Sequence, residues 1–328
     1  MRLLFLGSGA FGLPTLKHLA TTHEIVGVVS QPARPAGRGG RLTQTPIAEW
    51  AAQHLHAVPL LTPENINEPQ WITRVRDLVG PRWARADAWV VIAFGQKLSP
   101  PLLDDVFAIN LHASLLPRWR GAAPINAAML AGDAATGNSV ITLADRMDAG
   151  LVLGQSDRAI FPAMTAGELH DALSIDGPPV VSRVLDDQLR GSLHARPQDE
   201  SLVTKARKLS KADGWIDLTQ SAELCRRRIN GLSPWPGVAA RLDGQELKLL
   251  RAQVAPAVAA HGGGGAGTPG SLADPELGIV ACGEGTALML IEVQPPGKKP
   301  MNWQEFARGR RPAVTTASTL ISGAPGSC

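Results

Sequence analysis

Short apolar runs alternate with amphipathic segments of helix length over the first half of the chain. The apolar runs predict strands at Leu3–Leu6, Glu24–Ser30, Ala88–Phe94, Phe107–His112 and Asn138–Leu143. The amphipathic segments predict helices at Pro14–Thr21, Ile47–His56 and Ala166–Leu189. An uninterrupted apolar run such as Ala88–Phe94 is typical of a parallel strand covered on both faces. We therefore expect an α/β fold with a doubly wound, mostly parallel, Rossmann-like sheet.

The second half of the chain has a different pattern. A polar and basic stretch over 191–209 is typical of a linker, and a helix at Ser221–Leu232 follows it. Short strands are then predicted at Val238–Leu242, Leu247–Gln253, Gly278–Cys282 and Ala287–Val293. We expect a first domain over 1–190, a smaller OB-like β-barrel domain over 210–312 and a disordered tail over 313–328, with a low-complexity loop at 262–270.

Composition agrees with a two-domain globular protein. A chain of 328 residues is too long for one ordinary core, and 44% hydrophobic with 19% charged residues is a globular balance. The formal charge of +3 tolerates a polyanionic partner without requiring one. The three cysteines have no metal-ligand spacing, and no apolar run approaches the roughly 18 residues of a spanning helix, so we expect a cytoplasmic protein with no membrane contact.

A glycine motif, Gly7-Ser8-Gly9-Ala10-Phe11-Gly12, links the first predicted strand to the first helix. This pattern fits the dinucleotide-binding fingerprint, which also requires an acidic residue about 20 residues further on. The second strand instead ends at Ser30 and continues into Gln31-Pro32-Ala33-Arg34. The acidic residue that an NAD site needs is therefore missing, whereas the nearby arginine could suit the 2′-phosphate of NADP, so a nicotinamide site is weakened but stays an alternative. A tight turn that needs glycine explains the same residues without a ligand.

The densest chemical signal begins at the end of the Phe107–His112 strand. Side chains alternate along a strand, so Asn110 and His112 share one face, at the carboxyl edge where open parallel sheets bind ligands. The following loop, Ser114-Leu115-Leu116-Pro117, offers backbone groups and an apolar wall to a flat heterocycle. A structural histidine and a rigid turn are the alternatives.

A carboxylate that could orient the imidazole is Asp148, which follows the Asn138–Leu143 strand in Met147-Asp148-Ala149-Gly150. An ordinary turn aspartate would look the same. The pairing of Asp148 with His112 is therefore an expectation.

Three motifs together resemble the folate-dependent formyltransferases: Asn110-x-His112-x-Ser114-Leu-Leu-Pro117, Arg120-Gly-Ala-Ala-Pro-Ile125 and Met147-Asp148-x-Gly150. Five further segments are similar to the branch of that family that formylates initiator methionyl-tRNA: Gln31–Gly39, Leu209–Lys211, Ile216–Asp217, Pro234–Gly237 and Gly297–Met301. The similarity extends from Phe5 to about Arg311.

The resemblance implies transfer of a formyl group from 10-formyltetrahydrofolate to an amine, with Asn110, His112 and Asp148 as catalytic residues and no metal. It implies folate contacts at Ser114, Leu115, Leu116, Pro117, Phe94, Gly95 and Gln96. It implies that Arg34, Arg38 and Arg41 of one loop, with Lys205, Lys208 and Lys211, contact the tRNA. Further basic residues, including Arg226, Arg227, Arg228 and Arg310, could follow a phosphate backbone or simply be solvated. We expect a monomer.

The chain has no tyrosine, and it departs from the family pattern at Phe94, Lys205 and Leu218. Those changes affect expected details of binding more than the class of reaction. The alternative within the class is a formyltransferase acting on a sugar or nucleotide amine. Alternatives from other classes are an NADP-dependent oxidoreductase and a non-catalytic RNA-binding protein.

Overall fold

The computed structural model describes residues 1–36, 40–80, 87–256, 267–310 and 313–324. The chain forms two compact units. The first contains Met1–Arg120, Gly137–Arg158 and His170–Lys205, and the second contains Gly121–Thr136, Ala159–Leu169 and Ala206–Cys328. Two inner segments of the predicted first domain thus belong to the second unit, which composition alone did not indicate.

The helices are α1 (Leu13–Thr22), α2 (Pro46–His54), α3 (Pro69–Val79), α4 (Pro100–Leu103), α5 (Pro124–Ala131), α6 (Ala166–Leu189), α7 (Ala222–Gly231) and α8 (Trp303–Gly309). The strands from the first half are β1 (Arg2–Gly7), β2 (Glu24–Val29), β3 (Arg34–Ala36), β4 (Arg41–Thr43), β5 (Leu60–Leu61), β6 (Ala88–Ile92), β7 (Ala108–His112), β8 (Arg120–Gly121), β9 (Ala135–Thr142) and β10 (Val152–Ala159). Those from the second half are β11 (Lys205–Ala206), β12 (Val238–Leu242), β13 (Gln245–Val254), β14 (Leu272–Asp274), β15 (Ile279–Ala281), β16 (Ala287–Gln294), β17 (Met301–Asn302) and β18 (Leu320–Ile321). No helix in the described ranges has the length and apolar character needed to cross a membrane.

The first unit is built on one sheet with strand order β10-β9-β7-β6-β1-β2-β5. Strand β1 pairs in parallel with β2 and β6, and β6 pairs in parallel with β7. The predicted parallel, Rossmann-like sheet is therefore confirmed. Strand β9 is antiparallel to β7, so the parallel pattern ends beside β7. The apolar runs became central strands because both of their faces are covered, as the complete burial of β6 shows.

The glycine motif after β1 is required by packing. A Cβ on Gly7 would lie 2.9 Å from the Ile92 carbonyl oxygen, and one on Gly12 would lie 3.1 Å from the Ile92 Cβ. The Ser8 hydroxyl donates to the Phe94 carbonyl at 3.1 Å and accepts from the Gln31 backbone amide at 3.0 Å. The turn brings three strand ends together, which explains its glycines without a dinucleotide.

The second unit contains an antiparallel sheet with strand order β14-β15-β16-β13-β12-β18, and β17 adds to β16. A bridge between Ser271 and Thr319 joins its two ends, so the sheet is nearly closed and barrel-like, as predicted. Helix α7 packs on it through Cys225 and Ile229.

The segment after residue 312, predicted to be disordered, contains β18 in its described part. This strand pairs with β12, and Leu320 is buried in the core of the second unit. The prediction was wrong for this strand because one or two buried side chains suffice to hold a short edge strand, and so short a run has no detectable periodicity.

Candidate active site

Strand β7 places the two predicted polar residues at the end of a central strand. Asn110 is opposite Val91 of β6, and His112 is opposite Ser139 of β9. Asn110 and His112 are two residues apart, so their side chains leave the same face of the sheet. The site thus lies where the sheet changes from parallel to antiparallel pairing.

Asp148 reaches His112. The His112 Nδ1 lies 3.6 Å from the Asp148 Oδ1, and the two side chains are only 7% and 12% exposed. The His112 Nε2 lies 2.9 Å from the Trp119 carbonyl oxygen. A carbonyl oxygen can only accept, so Nε2 carries a hydrogen and Nδ1 faces the carboxylate. The predicted pairing of His112 with Asp148 is therefore present in the structure.

The backbone presents Asp148 and Trp119 in an uncommon conformation. Asp148 has φ 55° and Trp119 has φ 64°, both in the left-handed region that non-glycine residues rarely occupy. The Asp148 turn also needs Gly150, because a Cβ there would lie 1.7 Å from the Thr142 carbonyl oxygen. Strain concentrated at two residues that contact one histidine is typical of a functional site.

Asn110 is half-buried at this edge. Among the described residues its side-chain amide makes no hydrogen bond, whereas the other polar groups of the site are engaged within the protein. Asn110 can therefore donate a hydrogen bond to a negative charge that develops on a ligand. His112 can accept a proton, and the Asp148 carboxylate can stabilise it there.

The loop after β7 is held firmly by its neighbours. The Ser114 hydroxyl donates to the Arg118 carbonyl at 2.6 Å, and the Ser139 hydroxyl donates to the Ser114 carbonyl at 2.7 Å. The Leu116 amide donates to Ser139 Oγ at 3.0 Å. Leu116 is buried, while Leu115 and Pro117 are half-buried, so these two supply the accessible apolar wall of the loop.

Phe94, Gly95 and Gln96 follow β6 at the same edge, but not all of their side chains face outward. Phe94 is 2% exposed and packs in the apolar core with Leu4 and Trp89. Gln96 accepts from the Ile66 amide at 2.7 Å and donates to the Pro63 carbonyl at 3.1 Å. The Phe94 ring thus completes the core of the first unit. The folate contacts expected at Phe94, Gly95 and Gln96 stay predictions.

Two of the three predicted loop arginines lie in a β3–β4 hairpin. Arg34 is opposite Thr43 and Ala36 is opposite Arg41, so Arg34 and Arg41 are diagonal neighbours on one face. Both are exposed, and Arg34 pairs with Glu64 at 2.5 Å. Arg38 lies outside the described residues.

Lys205, Lys208 and Lys211 are exposed, as a nucleic-acid contact requires. Several other basic side chains are used inside the protein. Arg228 donates to the Trp215 carbonyl at 2.8 Å and covers its ring, and burial lowers the pKa of this guanidinium. Arg226 pairs with Glu223 at 2.7 Å. These two guanidinium groups are thus engaged within the protein and stabilise α7 and its surroundings.

Sequence reasoning missed the residues that hold the site in place. Arg120 is buried, and Gln198, Glu200 and Thr204 lie in the stretch predicted to be a linker. Their hydrogen bonds reach the backbone of Asp148 and Trp119. A polar stretch looks the same whether its side chains bind water or backbone carbonyls, so composition carried no signal for them.

Comparison with known proteins identifies the class. A sequence profile described as formyl transferase matches residues 1–185, and one described as formyl transferase, C-terminal domain, matches residues 208–311. The chain belongs to the formyl transferase family, and the predicted resemblance is confirmed.

Two curated relatives of similar length share one name. A methionyl-tRNA formyltransferase from Rhodopseudomonas palustris is 40% identical over 316 residues, covering 94% of this chain and 96% of the relative. One from Acidiphilium cryptum is 42% identical over 322 residues, covering 96% and 99%.

Solved structures share the fold at low identity. HypX from Aquifex aeolicus, in complex with tetrahydrofolic acid, has a TM-score of 0.61 and 15% identity, covering 93% of this chain and 46% of that one. An N-formyltransferase from Helicobacter canadensis, in complex with folinic acid and dTDP-3-aminofucose, has a TM-score of 0.62 and 12% identity, covering 88% and 98%.

Proposed function

We propose that this protein transfers the formyl group of 10-formyltetrahydrofolate to the amino group of initiator methionyl-tRNA, for translation initiation. The observation that carries the proposal is the buried His112–Asp148 pair on the same sheet edge as Asn110. Relatives named for this activity, 40% to 42% identical over nearly the whole chain, support the choice of acceptor.

The chemistry needs three tasks at one place. The amine lone pair attacks the formyl carbon to give a tetrahedral intermediate, and the attacking nitrogen loses a proton. The bond from the formyl carbon to the folate nitrogen then breaks, and that nitrogen keeps the electron pair and takes up a proton, so tetrahydrofolate leaves. The free Asn110 amide is suited to donate to the oxyanion that forms on the formyl oxygen, a contact made mainly in the transition state. A proton taken up at His112 Nδ1 is stabilised by the Asp148 carboxylate, 3.6 Å away.

The folate would lie against the loop after β7. Leu115 and Pro117 would provide apolar contacts. The Ser114 and Leu116 carbonyls each accept one hydrogen bond within the protein and have a second lone pair for a ligand, and the Gly95 backbone would add a further polar contact. Gln96 would act by holding the 63–66 loop, since its amide is already engaged there. No step of this mechanism uses a metal.

The tRNA would contact the exposed basic residues Arg34, Arg41, Lys205, Lys208 and Lys211. Arg38, outside the described residues, belongs to the same proposed contact. Arg41 offers the clearest test, because among the described residues its side chain makes no ion pair. We expect Arg41→Ala to raise KM for the tRNA with kcat and the KM for folate unchanged. The slope of log KM for the tRNA against the logarithm of the salt concentration should decrease by about one, because one phosphate contact is lost. An unchanged salt slope would remove Arg41 from the interface.

The acceptor is tested by competition. Purified protein with labelled 10-formyltetrahydrofolate would be given initiator methionyl-tRNA and a nucleotide-linked amino sugar together. Label on the methionyl-tRNA supports the proposal. Label on the sugar would assign the protein to the other branch of its family.

We also propose that the protein acts as a cytoplasmic monomer with a catalytic domain over 1–190 and a tRNA-binding domain over 210–312.

A further inference from the structure

Residues 196–204, here called the strap, pass directly beside the His112–Asp148 pair. The strap begins with a two-way backbone pairing of Arg196 with Val152, at 2.8 and 2.9 Å. It ends at Thr204, whose carbonyl accepts from the Arg120 amide at 2.9 Å. Both ends of the strap are therefore fixed by backbone hydrogen bonds within the first unit. Gln198 and Thr204 of the strap contact the backbone of Asp148 and Trp119.

Gln198 of the strap binds the backbone on both sides of Ala149. Its Nε2 donates to the Asp148 carbonyl at 2.8 Å and to the Gly150 carbonyl at 2.8 Å. Both hydrogens of the amide are used, and the acceptors flank a turn in which Asp148 has φ 55°. The side chain thus holds the backbone conformation that turns the Asp148 carboxylate toward His112.

Gln198 is itself oriented by charged neighbours. Arg120 Nε donates to Gln198 Oε1 at 2.9 Å, which fixes which end of the amide faces the turn. The Arg120 side chain is 9% exposed and pairs with Glu200 of the strap at 2.9 Å, so its buried charge is neutralised. Arg146 also approaches Glu200, at 3.2 Å.

The far end of the strap holds the other partner of the histidine. Thr204 Oγ1 accepts from the Trp119 amide at 2.9 Å, and the Trp119 carbonyl accepts from His112 Nε2 at 2.9 Å. The two groups that contact the imidazole are therefore each one hydrogen bond away from the strap.

We propose that Gln198 is a positioning residue for the formyl transfer, acting through the backbone of Asp148. This inference rests on the proposed function for its kinetic test. Displacing a group near reacting atoms by about 1 Å can cost on the order of 10²-fold in rate. Loss of Gln198 should therefore lower kcat by roughly 10- to 100-fold, and the KM values for folate and tRNA should stay within about twofold.

The variant is Gln198→Met, which keeps the side-chain length and removes both donors. Gln198→Glu is the second variant, because it keeps an acceptor for Arg120 and removes the same donors, and it should show the same loss. The matched control is Gln53→Met, an exposed position on α2 that should retain full activity. Thermal melting of each variant confirms that it is folded.

A double-mutant cycle separates positioning from general destabilisation. If Gln198 acts through Asp148, then Gln198→Met should cost little further rate in an Asp148→Asn background. Independent, multiplying losses would overturn the proposal, as would an unchanged kcat or a selective rise in KM.

A readout independent of the acceptor is the ¹⁵N NMR signal of the His112 ring. Gln198→Met should shift this signal, and Gln53→Met should leave it in place. If wild type does not formylate methionyl-tRNA, the proposed function fails, while the NMR shift still decides the role of Gln198. An unshifted signal in Gln198→Met would overturn the positioning role whatever the acceptor is.

Discussion

Replacing Asp148 by Asn removes one charge while preserving the size of the side chain. The carboxylate lies 3.6 Å from His112 Nδ1, with both groups largely buried. At an effective dielectric constant of about 20, unit charges at this separation attract by about 5 kcal/mol. Each 1.36 kcal/mol is about tenfold in rate. Because the Asn dipole retains part of the attraction, Asp148→Asn should lower kcat by roughly 10²- to 10³-fold.

The assay is single-turnover formyl transfer from labelled 10-formyltetrahydrofolate, with both substrates saturating. Asp145→Asn is the matched control, since it makes the same change at an exposed position of the same loop. The control should match wild type. If Asp148→Asn kept more than about a tenth of the wild-type rate, the carboxylate would not stabilise a proton on His112, and the electrostatic argument would be refuted.

Three further predictions follow from single contacts. Asn110→Ala should lower kcat by roughly 10²- to 10³-fold with KM nearly constant, and steady-state kinetics that showed only a raised KM would count against an oxyanion contact. Gly150→Ala places a Cβ 1.7 Å from the Thr142 carbonyl oxygen, so the free energy of unfolding should fall by about 2 kcal/mol or more; an unchanged melting temperature would contradict this. Hydrogen bonding from Arg251 holds the pKa of Glu168 below 4.5, so this stabilisation is present above that pH and is lost as the pH falls through the folded pKa. In Glu168→Gln, the free energy of unfolding measured by urea titration should therefore decrease less as the pH is lowered than it does in wild type. The same decrease in both proteins would refute the pairing.

The central strands could be predicted because burial on both faces leaves an apolar run in the sequence. Prediction and structure agree on the start of β6 at Ala88 and on the bounds of α6. The antiparallel direction of β9 could not be predicted, since alternation and burial do not encode strand direction. The assignment of inner segments to the second unit likewise depends on contacts between distant residues.

Asn110 and His112 could be predicted as neighbours because strand alternation alone places them on one face. The approach of His112 to Asp148 could only be expected, since it depends on a turn 36 residues further along the chain. The burial of the Phe94 ring in the core could not be predicted, because a family motif does not show whether a side chain points into the core or toward a ligand. Gln198 escaped notice because its partners are backbone carbonyls, which every residue has.

The catalytic role of His112 is tested by single-turnover formyl transfer to initiator methionyl-tRNA by wild type and by His112→Ala, with the exposed His54→Ala as control. We expect rapid transfer by wild type and His54→Ala, and a loss of at least roughly 10²-fold in His112→Ala. Equal rates in wild type and His112→Ala would contradict a catalytic role for the histidine, and absence of transfer by wild type would contradict the proposed substrate.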